Sequence, residues 1–79
     1  INTKVLIIHT NEKLTQIPAL PYPLVCSLRS DGALQLFFDK SIISTEEVID
    51  ICRRSKISIK DIATAEPALE DVFKLVTKR

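Results

Sequence analysis

Residues 24–39 constrain the fold more than any other part of the chain. Leu24, Cys26 and Leu28 alternate with Val25, Ser27 and Arg29, and after a break Leu34, Leu36 and Phe38 alternate with Gln35, Phe37 and Asp39. A two-residue apolar period places one set of side chains on a single face of a strand. The break, Ser30-Asp31-Gly32-Ala33, holds the one glycine of the chain, directly after an aspartate. Asp-Gly between alternating runs predicts a hairpin turn. A two-stranded ribbon is marginal alone in water, so its dry face must be covered by the flanking segments.

Before the hairpin, residues 4–9 (Lys-Val-Leu-Ile-Ile-His) read as a strand. The apolar run lacks alternation, which predicts a central strand covered on both faces. Asn11 is placed to cap a short helical turn through Ile17, with Leu14 and Ile17 facing inward. Prolines 18, 21 and 23 then exclude both helix and ladder and stiffen the connector. After the hairpin, Ser44-Thr45-Glu46-Glu47 forms a capping box. The helix it opens should run to Ser55 or Lys56 and bury Val48, Ile49, Ile51 and Cys52. Residues 57–63 return as a strand whose alternation slips between Ile59 and Ile62, which predicts a bulge or a late start. The predicted order is β, short α, β, β, α, β and a closing helix. That is an α+β fold of the ferredoxin-like β-α-β-β-α-β plan with an added C-terminal helix, both crossover helices lying on one face.

In the closing helix Leu69, Val72, Phe73 and Val76 follow the i, i+3, i+4, i+7 spacing of one face. Glu66 precedes Pro67 and is biased away from helical angles, which places the start at Pro67 or Ala68. Acids crowd its start and bases its end, as the helix dipole favours. A helix of this length is marginal alone, so the stripe is expected to dock on the preceding residues and Phe73 to be core. Phe37 points away from Leu36 and Phe38, and Leu75 lies about 60° beyond the Val72 edge of the stripe. Either the closing helix covers Phe37, or Phe37 and Leu75 belong to a contact surface; the covered face is the simpler reading.

Residues 66–73, Glu-Pro-Ala-Leu-Glu-Asp-Val-Phe, resemble a phrase that closes many ATP-binding subunits of ABC-type exporters of the multidrug and sodium efflux kind. There it typically reads Glu-Pro-Ser-Leu-Glu-Asp-Val-Phe, in a small accessory domain after the nucleotide-binding domain. This chain departs at Ala68 and lacks the glycine that often follows; outside this phrase the agreement is one of length and element order. The resemblance implies a non-catalytic regulatory or dimer-stabilising domain. Its partners would be the upstream nucleotide-binding domain of the same protein, the dimer mate of that domain and, indirectly, a membrane subunit. It would be cytoplasmic, at the inner face of the membrane, with ATP and magnesium held by the parent protein. Ile1 in place of an initiator methionine adds the expectation of a single small domain, residues 1–79, cut from a longer protein.

Composition narrows the alternatives. Eleven bases against ten acids leave a net charge of +1, which supplies no electrostatic footprint for nucleic acid. Apolar runs such as residues 5–8 are far too short to span a bilayer. One glycine cannot build a phosphate-cradling Gly-x-x-x-x-Gly-Lys-Ser/Thr loop, so no cofactor is expected here. Cys26 and Cys52 sit on the inward strand face and the inward helix stripe. With the single His9 they are too few, and wrongly spaced, for metal, and buried reduced thiols are the expectation. His9 lacks a sequence partner for a catalytic dyad. Glu46, Glu47, Glu70 and Asp71 are accounted for by capping and dipole roles, and Arg53, Arg54 and Lys56 by a solvated helix end. Nothing marks an enzyme. The other reading that stands beside the accessory domain is a free-standing ferredoxin-like module that senses a small molecule or binds another protein.

Overall fold

In the computed structural model, which describes residues 2–70, 72 and 73, the chain is a small α+β domain with one long helix and a four-stranded antiparallel sheet. The strands are β1 (Thr3–Thr10), β2 (Val25–Leu28), β3 (Leu34–Asp39) and β4 (Ile59–Ala65), and the helix α1 (Thr45–Arg54) joins β3 to β4. The sheet order is β2-β3-β1-β4. The unalternating β1 is therefore central, and Val5, Leu6, Ile7 and Ile8 are all buried.

The hairpin closes as its residues require, through a three-residue loop. Arg29 donates its amide to the Ala33 carbonyl at 2.8 Å and Gly32 donates to the Arg29 carbonyl at 3.0 Å. Gly32 carries φ +89°, the left-handed step that follows the turn in such loops. The Asp31 carboxylate accepts the Ala33 amide at 3.0 Å. That bond first, and the Arg29 guanidinium 3.3 Å away second, hold the Asp31 carboxyl below its ordinary value.

α1 begins on the expected box: Ser44 Oγ accepts the Glu47 amide at 3.1 Å and Glu47 Oε1 accepts the Ser44 amide at 3.3 Å. It ends in a Schellman motif, with Lys56 donating to the Arg53 carbonyl and Ile57 to the Cys52 carbonyl. Lys56 takes the left-handed position at φ 64°. The motif folds buried Ile57 back against buried Cys52. Both join Leu6, Ile8, Leu24, Leu34, Leu36, Phe38, Ile43 and Val48 in the main core between α1 and the sheet. Ile49 and Ile51 are half-buried at the rim of the stripe.

β4 carries the expected irregularity. His9 pairs with Asp61 and Thr10 with Ile59, so Lys60 is the extra residue of a bulge. That shift explains why the apolar period slips between Ile59 and Ile62.

The short first helix does not form. Residues 11–17 make two bends without helical turns. Asn11, instead of capping, donates its amide to the Ser58 carbonyl at 3.0 Å and its side-chain amide to Ser58 Oγ at 2.6 Å. Seven residues ahead of Pro18 are too few to offset helix nucleation, and Pro18 biases Ile17 to extended angles. Leu14 still packs on the core, but Ile17 is exposed. The proline connector turns at Leu24, whose amide donates to the Pro21 carbonyl at 3.1 Å across a cis Tyr22–Pro23 bond. Among the described residues no helix is long and apolar enough to cross a membrane.

Candidate functional site

Two surfaces merit comparison, and both begin where β4 ends. The first is the closing segment. Residues 69, 70, 72 and 73 are helical, and Val72 donates its amide to the Ala68 carbonyl at 3.4 Å. The helix thus starts at Leu69, later than either Pro67 or Ala68 where the proline rule placed it, with Ala68 in the N-cap position.

The expectation that this stripe is core is corrected for two residues. Leu69 is 69% exposed and Phe73 59% exposed, while Val72 is half-buried. Helical periodicity says that a face needs covering, and leaves open which body covers it. Leu75 and Val76, the other members of the predicted surface and stripe, lie outside the described residues. Phe37 is 1% exposed and therefore not available as an open contact residue. It pairs with Val5 on one side and Val25 on the other, on the sheet face opposite the main core. Val5 and Ile7 are buried on the same face.

The second surface is a cleft of about 360 Å³ lined by Thr3, Lys4, Lys40, Thr64, Ala65, Glu66 and Pro67. Strand register assembles it. Lys4 pairs with Phe38, and Lys40, two residues on, donates its amide to the Asn2 carbonyl at 2.9 Å. The two lysines are thus diagonal neighbours across β1 and β3. On the other side Val5 pairs with Ala65, and the same register carried one step further sets Lys4 opposite Glu66. Among the described residues neither lysine, nor Glu66, is ion-paired. Sequence reasoning missed this cleft. Its residues come from three distant stretches, and the one signal was the charge at each strand end.

The two thiols behave as buried groups. Cys52 is fully buried and Cys26 half-buried on the same side of the sheet, and both are free. Burial, and then the neighbouring Cys52, push the Cys26 thiol up to about 11, and burial raises Cys52 as well. Such thiols are poor nucleophiles. His9 faces Asp61 across the β1–β4 ladder. Among the described residues no three His, Cys, Asp or Glu side chains gather as metal ligands. Glu47 is spent on the cap, and Glu46, Arg53 and Arg54 are exposed at the helix ends that their charges favour.

Comparison with known proteins finds no matching family model, and no curated protein or solved structure similar to the chain.

Proposed function

We propose that the chain is a non-catalytic accessory domain of an ABC-type exporter ATP-binding subunit, and that it docks through its closing helix. The observation that carries this reading is the Glu-Pro-Ala-Leu-Glu-Asp-Val-Phe segment with Leu69 and Phe73 exposed. An exposed apolar pair one helical turn apart is what a helix-in-groove contact presents. The sheet order adds support to the ferredoxin-like reading. In β2-β3-β1-β4 the hairpin strands lie together, and β1 separates β3 from β4, the strands joined by α1. In this reading the first crossover helix is replaced by the proline connector.

The partner surface would be the nucleotide-binding domain of the same protein or its dimer mate, at the cytoplasmic face of the transporter. The domain would steady that dimer or tune its turnover, the parent coupling ATP hydrolysis to export. It would do no nucleotide chemistry itself: its one glycine, Gly32, serves the hairpin turn. The test is binding of the chain to an ATP-binding subunit lacking its own accessory domain, followed by size-exclusion and titration calorimetry. A complex lost in Leu69→Ser and Phe73→Ser supports the reading. No complex, or micromolar binding of magnesium ATP by the chain alone, overturns it.

A further inference from the structure

We infer that the cleft between the start of β1 and the end of β4 binds a small acidic amino acid, a zwitterion with two carboxylates and one ammonium. The charges of the lining run the opposite way: two ammonium groups, Lys4 and Lys40, and one carboxylate, Glu66. Among the described residues none of the three is ion-paired. Lys4 is half-buried, and a partly desolvated ammonium gains more from a carboxylate than an open one does. Thr3 and Thr64 add hydroxyls that donate or accept.

The same lining argues against other ligand classes. At about 360 Å³ the cleft is at the small end of small-molecule sites. Among the described residues of its lining there is no aromatic side chain on which a base or sugar would stack. A plain dianion would meet Glu66 as a like charge, whereas an ammonium beside the carboxylates turns that repulsion into attraction.

The experiment is a titration of the 79-residue chain, followed by amide chemical shifts at low ionic strength, with glutamate, aspartate, glutarate and inorganic phosphate in parallel. Glutamate or aspartate should move the amides of Thr3, Lys4, Lys40, Thr64 and Glu66 saturably, with a millimolar dissociation constant. Lys4→Gln and Lys40→Gln should each weaken binding by about two- to fivefold, the range of a partly exposed ion pair. Glu66→Gln should weaken glutamate and strengthen glutarate. Two results on the unmodified chain overturn the proposal whatever the variants do. One is an absence of saturable shifts with either amino acid; the other is glutarate or phosphate binding as tightly at the same amides.

Discussion

The amide of Val72 donates to the carbonyl of Ala68 at 3.4 Å and Leu69 is the first helical residue, so Ala68 is the N-cap of the closing helical turn and not a residue inside it. Alanine is among the poorest residues there, because it has no oxygen to accept the free amides of the first turn. Ala68→Ser should stabilise this turn by about 0.5–2 kcal/mol. Hydrogen exchange at the Val72 amide should slow by the corresponding factor, about two- to thirtyfold. Unchanged or faster exchange would reject the cap assignment.

Phe37 and Phe73 should respond oppositely to truncation. Phe37 is 1% exposed and Phe73 59% exposed. Phe37→Ala removes a buried aromatic and should cost about 3–5 kcal/mol. A chain of this size holds about 4–12 kcal/mol in all, so that variant should be close to unfolding at room temperature. Phe73→Ala should shift stability by no more than about 0.5 kcal/mol, as exposed positions do. Urea melts of both variants decide the point. A large loss from Phe73→Ala would place that ring in the core after all.

Among the described residues two backbone positions have positive φ, Gly32 at 89° and Lys56 at 64°, and one of them carries the unsuitable residue. A left-handed residue with a Cβ costs about 1–2 kcal/mol. Gly32→Ala should lose about that much; its new Cβ would also lie 3.0 Å from Lys13 Cγ, though that flexible side chain can move aside. Lys56→Gly should gain about 0.5–1 kcal/mol, the strain removed less the extra backbone entropy of glycine. Thermal melts should therefore move in opposite directions. A destabilised Lys56→Gly would mean that its side chain does more than close the helix.

The thiols make stability fall in alkali. Cys26 is raised from 9.0 to about 11 by burial and by Cys52. The unfolded chain releases the thiol proton first, so the contribution is complete below about pH 9 and is lost as pH rises toward about 11. Replacing Cys26 with alanine should flatten the stability profile across that interval. Thiol-specific reagents at neutral pH should label the native chain slowly and the urea-unfolded chain at once. Fast native labelling at Cys52 would contradict its burial.

Where local energies decide, the amino-acid sequence by itself determined the structure. The alternating residues of the hairpin, Gly32 in its turn, the Ser44–Glu47 box, the apolar stripe of α1 and the slipped period of β4 are all short-range signals. The hairpin turn and the box are satisfied by their own neighbours, and each of these elements formed, although α1 stops at Arg54 and β4 runs over Ile59–Ala65 where residues 57–63 were expected. The segment 11–17 was decided otherwise. Asn11 had a plausible cap to make, but Ser58 offered two hydrogen bonds from across the fold, and a seven-residue helix could not compete. The same holds for Leu69 and Phe73, whose spacing states a need for cover without naming what meets it. Lys4, Lys40 and Glu66 are neighbours only because β1 pairs with β3 and β4 in one register. Pairing of that kind depends on contacts between residues far apart in the chain. No window of sequence contains both partners, so only the tertiary structure brings those charges to one cleft.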